Sequence, residues 1–178
     1  MSRILYNHRW MKLREDDQGE AFVQMNQDAI MVVALNSREE VLLIQEKSIA
    51  YGSPALTAPT GGVEPREKPE QTANRELQEE VGYVARRMDY ITTLNPAVKY
   101  LRWKCHLYLA RDLVYQPVKG DETSSIRVMR VPLIELNSLI ASRHVTDSTT
   151  VAALCLVQQQ INQEKTLEHL HIGYLHHQ

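Results

Sequence analysis

The sequence predicts an α/β sandwich on a mixed β-sheet, with a β-hairpin extension ahead of the core. Three observations carry this expectation. A continuous apolar run, Ala29–Leu35, reads as a buried strand. Strand-like segments with hairpin-length links flank one glutamate-rich helix. A second helical segment follows near the end, so helices and strands are interspersed. With 178 residues, 43% of them apolar, the chain can bury one real core, and a single domain over residues 1–178 is expected.

Residues 3–14 and 20–26 flank the polar turn Asp16-Asp17-Gln18-Gly19 and read as the hairpin, a 1–27 extension. After the Ala29–Leu35 run, residues 36–40 are a turn and 41–45 a second strand. Pro59-Thr60-Gly61-Gly62 reads as a turn before a helix, its glycines allowing close approach of the backbone to a ligand. That helix begins near Pro69, with Glu70 in its first turn, and Gly82 is a natural stop. Lys68 occupies the cap position, where Ser or Asp would serve better. Residues 88–94 and 103–110 follow as paired strands, and 126–131 as another. A short helix is expected over 133–141, and a last one, capped by Asp147 or Ser148, to about residue 163.

The helix after the glycine turn carries the chemistry. Relative to Glu76, Glu79 lies about 60° one way around the axis and Glu80 about 40° the other. Ala73, Leu77 and Val81 form an apolar stripe beside them, so the stripe can bury while the glutamates face a cleft. Like charges at these spacings repel, and the only nearby base is Arg75. Such a cluster calls for a cation.

Gly61, Glu67 and the run Arg75-Glu76-Leu77-x-Glu79-Glu80-x-Gly82 resemble the signature of the Nudix hydrolases at every charged and glycine position; Tyr83 replaces the usual bulky aliphatic residue. The resemblance covers about residues 28–165 and implies the Nudix α/β/α sandwich. The amino-terminal strand pair and the Gly120-Asp121-Glu122 stretch are similar to the ADP-ribose and ADP-compounds (nucleoside diphosphate-sugar) pyrophosphatase branch, where such an extension helps form a homodimer. Departures at Ser48, Thr57, Val98 and Ser124 fall where that branch reads its substrate. The resemblance therefore implies the reaction more narrowly than the leaving group.

The implied reaction is Mg²⁺-dependent hydrolysis, with Mn²⁺ able to substitute, of a diphosphate joining a nucleoside to another moiety. ADP-ribose, ADP-sugars, NADH or dinucleoside polyphosphates are the expected substrate type. Carboxylate and carbonyl oxygens suit these hard cations. The expected metal ligands are Glu76, Glu79 and Glu80, with the carbonyl of Thr60 or Gly61 as a further oxygen. Arg75 is expected to orient Glu79, and Glu67 to support the helix entry. The general base is expected to be Glu122 on a glycine-containing loop, or else one of the helix glutamates. Tyr100 and Arg102 are candidate substrate contacts. Removal of pyrophosphate from RNA 5′ ends or nucleoside triphosphates is the alternative reaction. A Nudix-fold binding module without turnover is a further one, opposed by the complete set of carboxylates.

A net charge of −2 and a pI near 6.4 give no broad basic surface, which argues against DNA and RNA partners. Cys105 and Cys155 lie in apolar contexts and read as reduced core thiols. Without a signal-like or membrane-length apolar run, a cytoplasmic location and no membrane partner are expected. The histidines of the 169–177 segment lack a completing acid or cysteine and read as a plain tail; Trp103 and Tyr108 read as sheet packing.

Overall fold

The computed structural model describes residues 2–118 and 126–175, with side chains through Leu167. It opens with three short strands, β1 (Arg3–Asn7), β2 (Met11–Glu15) and β3 (Ala21–Met25), paired antiparallel in sequence order. The expected two-stranded hairpin is thus a three-stranded meander. Its extra turn at residues 8–10 is closed by Asn26, whose Nδ2 donates to the carbonyls of His8 (2.9 Å) and Arg9 (3.0 Å). That contact spans seventeen or eighteen residues, so no local signal announces it. The Asp16–Gly19 turn is as expected: Asp16 Oδ1 accepts from the N–H groups of Gln18 and Glu20.

The core follows with β4 (Ala29–Leu35), β5 (Glu40–Lys47), β6 (Pro54–Thr57), β7 (Thr60–Gly62), α1 (Pro69–Val81), β8 (Tyr83–Leu94), β9 (Leu101–Arg102), β10 (Cys105–Tyr115) and β11 (Arg127–Pro132). A 3₁₀ turn (Leu133–Glu135) leads into α2 (Leu136–Ala141), and α3 (Ser148–Leu175) closes the described chain. The main sheet has the order β11-β5-β4-β10-β8, parallel only between β4 and β10. The mixed sheet is therefore observed. β9 joins β3 instead, in a parallel pair that completes a small second sheet.

Alternation along β4 explains its unbroken apolar run. Ile30, Val32 and Ala34 pack with Ala73, Leu77 and Val81 of α1, whereas Met31 and Val33 pack with Ala153, Leu154 and Val157 of α3. A strand covered on both faces needs apolar residues at every position. Tyr108 is buried on the α1 side, as expected of a sheet residue, whereas Trp103 packs against the α3 side from just ahead of β10, which begins at Cys105 rather than at 103. Cys105 is fully buried, and burial pushes its thiol up to about 12; Cys155 is exposed on α3, not a core thiol. No described helix is long and apolar enough to cross a membrane.

One irregularity positions the site. β4 pairs with β5 only at Ala34↔Leu42 and Leu35↔Val41, after which the two strands part. The start of β4 pairs instead with β7, placing Ala29, Ile30 and Met31 opposite Gly62, Gly61 and Thr60. The expected turn at 59–62 is therefore partly a strand, because pairing with β4 extends a glycine segment that has no strand preference of its own.

Candidate active site

α1 forms where the sequence places it. Pro69 stands at its first position, the Lys68 N–H donates to Gln71 Oε1 (2.9 Å), and Gly82 ends it in the left-handed region (φ 81°). Burying Leu77 between helix and sheet swings the glutamate side of α1 against β7. Glu76 and Glu80 become buried, and Glu79 stays about one-third exposed.

Each glutamate meets β7 or Arg75 by a specific contact. Glu80 Oε2 accepts the Thr60 N–H (3.0 Å), while Thr60 Oγ1 donates to the Ile30 carbonyl (2.6 Å). The Glu76 carboxylate lies in the space where a side chain on residue 61 would begin; any Cβ there would collide with it. Glycine at 61 is required for this close approach, not for its backbone angles.

Arg75 has a wider role than the expected pairing with Glu79. Its Nη1 donates to Glu76 Oε1 (2.8 Å) and Glu79 Oε2 (3.0 Å), and its Nε to Glu67 Oε1 (3.0 Å). Its Nη2 donates to Glu67 Oε2 (3.1 Å) and, at 3.5 Å, to the Gly62 carbonyl. Glu67 also accepts from Thr72 Oγ1 (2.8 Å), a buried residue the sequence reading passed over. One guanidinium thus ties the loop before α1 to two of the three helix glutamates. Among the described residues, no three His, Cys, Asp or Glu side chains are yet converged as a metal cage. The donor set nevertheless matches a hard divalent cation in kind, being all oxygen and anionic, beside a glycine backbone open to close approach.

The Arg75 hydrogen bonds, aided by Thr72, hold the Glu67 carboxyl below its ordinary value against the opposing effect of burial. The Glu67 hydrogen bonds in turn raise the Arg75 guanidinium, so both stay charged. A carboxyl depressed in the folded state contributes stability above its unfolded pKa, and that contribution disappears as pH falls through the folded value. Arg75→Met is expected to cost roughly 1–3 kcal/mol at pH 7, the scale of hydrogen bonds to charged groups. The gap from wild type should narrow as pH is lowered from 5 to 3, in denaturant titrations at each pH. A gap independent of pH would show that Glu67 gains nothing from Arg75.

The other predicted residues lie elsewhere. Tyr100 and Arg102 line a cleft of about 720 Å³ between the small sheet and the 95–104 segment, with Arg102 5.0 Å from the Phe22 ring centre. They do not join the α1 carboxylates. Glu122 lies outside the described residues. One residue the sequence reading missed does touch the site: the Gln27 carboxamide packs against Gly62. Its only sequence signal is its place just before β4.

Residues 25–154 match the NUDIX domain model, most of the chain and all of the site just described. The chain belongs to the Nudix family. It is 31% identical over 134 residues to the ADP compounds hydrolase NudE of Escherichia coli (strain K12), covering 75% of this chain and 72% of that one. It is 30% identical over 132 residues to the ADP-ribose pyrophosphatase of Bacillus subtilis (strain 168), covering 73% and 71%. A crystal structure of ADP compounds hydrolase superposes with a TM-score of 0.81 at 26% identity, covering 92% of this chain and 93% of that one. The Nudix sandwich expected from the sequence is thereby shown, and the chain is a Nudix hydrolase acting on pyrophosphate bonds.

Proposed function

We propose that this hydrolase splits the diphosphate of a nucleoside diphosphate linked to another moiety, of the ADP-ribose or ADP-sugar type, giving a nucleoside monophosphate and a phosphorylated fragment. The observation that supports this reading is the packing of Glu76 and Glu80 against the Thr60–Gly61 backbone, beside the Arg75 anchor. The names of the two bacterial relatives favour diphosphate substrates of this class.

In this reading Glu76, Glu79 and Glu80, with the carbonyl of Thr60 or Gly61, would hold Mg²⁺, with Mn²⁺ able to substitute. The bound cation supplies neutralisation of the diphosphate oxygens and acidification of water. Arg75 holds Glu76 and Glu79 toward one another, and Glu67 anchors Arg75. The proton acceptor is assigned to Glu122, with a helix glutamate as the alternative. Glu122→Gln is expected to lower kcat by about 10²-fold, the ordinary contribution of a positioned base. A change of less than twofold in kcat would transfer the role to the helix.

The 1–27 extension is proposed as a dimerisation element. All of β1 is exposed, Ile4, Leu5 and Tyr6 included, and Trp10 is exposed beside it. Light scattering is expected to give a dimer, and a monomer would remove that element of the proposal. The setting is proposed to be cytoplasmic. The deciding experiment is product analysis by chromatography with Mg²⁺ across ADP-ribose, NADH, dinucleoside polyphosphates, sugar nucleotides and triphosphates. Faster turnover of triphosphates than of every linked diphosphate would reject the substrate class.

A further inference from the structure

Gly61 and Gly62 make room for two different neighbours. Successive strand residues project to opposite faces. On β7 the Glu76 carboxylate fills the side-chain space of Gly61, and the Gln27 carboxamide fills that of Gly62, from the other face. A three-residue strand is thus clasped between an acid and an amide. Among the described strands β7 pairs only with β4; its Thr60 N–H donates to Glu80 and its Gly62 carbonyl accepts from Arg75, so no third strand covers it. A ligand held at the carboxylates and passing the Gly62 end of β7 would meet Gln27 on the other face.

Beyond Gln27 the chain forms a small cleft of about 400 Å³, separate from the carboxylates. Its chemistry comes from Gln27, Asp28, Arg102, Trp103 and Lys104. Asp28 is held near His106 (3.5 Å), and the Asp28 carbonyl accepts the Val63 N–H (2.8 Å), which fixes this corner to the loop after β7. The Gln27 carboxamide makes no hydrogen bond with the described residues, although it lies against β7.

An amide and a carboxylate together both donate and accept, as a row of sugar hydroxyls demands. An indole offers an apolar face for the C–H side of a sugar ring, and two cations suit neighbouring phosphate oxygens. The volume is near the small end of ligand sites, enough for one sugar.

We propose that this cleft is the subsite for the sugar joined to the nucleotide through its diphosphate, and that Gln27 is its specificity-determining contact. The proposal rests on the linked-diphosphate reading of the site and names the moiety held beyond the diphosphate.

The test compares wild type with Gln27→Met, which keeps the length of the side chain and removes its polar atoms. Calorimetric titrations with ADP-ribose and with AMP are run in EDTA, where no metal-dependent turnover occurs. The Kd for ADP-ribose is expected to rise about tenfold, the loss of one or two hydrogen bonds, with the Kd for AMP and the Tm unchanged. Equal affinity of both proteins for ADP-ribose overturns the subsite. Equal weakening of AMP and ADP-ribose also overturns it, because Gln27 would then serve the nucleotide half. Hydrolysis of ADP-ribose by wild type with Mg²⁺, alongside either of those results, leaves the parent reading standing. Failure of wild type to bind ADP-ribose in EDTA overturns the subsite, whose contacts need no metal, and failure of wild type to hydrolyse it with Mg²⁺ overturns the parent reading.

Discussion

Glu80→Gln is expected to lower kcat by roughly 10²- to 10³-fold, the scale seen when one preorganised charge-stabilising group is lost. The substitution separates charge from shape. Glu80 is buried, and its Oε2 accepts the Thr60 N–H at 3.0 Å. A glutamine carboxamide has nearly the same volume and keeps an oxygen for that N–H, so α1 should stay docked on β7. What disappears is a negative charge that the proposed mechanism uses to hold a divalent cation. Tm should therefore shift by only a few degrees, since shape and hydrogen bond persist. Steady-state kinetics over a range of Mg²⁺ concentrations, with a thermal melt as control, decide the matter. Wild-type kcat in a folded Glu80→Gln protein would remove the metal assignment.

Gly61→Ala should produce a comparable loss of activity by a different route. A single methyl group at residue 61 collides with the Cδ, Oε1 and Cγ of Glu76. Residue 61 is not among the positive-φ glycines, so no backbone strain opposes alanine. The obstacle is a flexible side chain, which can swing aside at a stability cost of about 1–3 kcal/mol, typical of overpacking. Swinging aside displaces the Glu76 carboxylate from β7 and breaks its 2.8 Å contact with Arg75. We expect kcat to fall about 10²-fold, as ångström-scale misplacement of a catalytic group can do, while circular dichroism and the cooperative melt persist. If Gly61→Ala retained more than half of the wild-type kcat, the close packing of Glu76 on β7 would have no part in the reaction.

These two substitutions show where sequence and structure divide the explanation. The glutamate spacing is legible because a helix is a local object: residues three and four apart share a face whatever surrounds them. The limits of α1 were legible for the same reason, since Pro69 and Gly82 act on their own backbone. The run Ala29–Leu35 announced a strand because only a doubly covered strand needs apolar residues throughout. The extension was less legible. Its first turn depends on Asn26, which reaches back to His8 and Arg9. β7 was the least legible, as glycine favours no extended state until a neighbouring strand supplies the pairing. The final helix runs to Leu175, past the expected end near residue 163. Good helix formers such as Gln163, Glu164, Lys165 and Leu167 continue it, without needing an apolar face to pack.

By itself, the order of residues determined that three carboxylates would share a helix side beside a glycine pair, and hence the class of reaction. Which groups those carboxylates meet was decided only by the tertiary structure. Arg75 meets Glu79 one helical turn on, as expected, but reaches Glu67 only because the loop before α1 folds back over the helix. Gln27 reaches Gly62 because β4 abandons β5 for β7. Tyr100 and Arg102 are drawn to the small sheet because β9 pairs with β3 rather than with the core. The contacts of Gln27 and of β9 join segments far apart in the chain, and only the pairing of the strands brings them together.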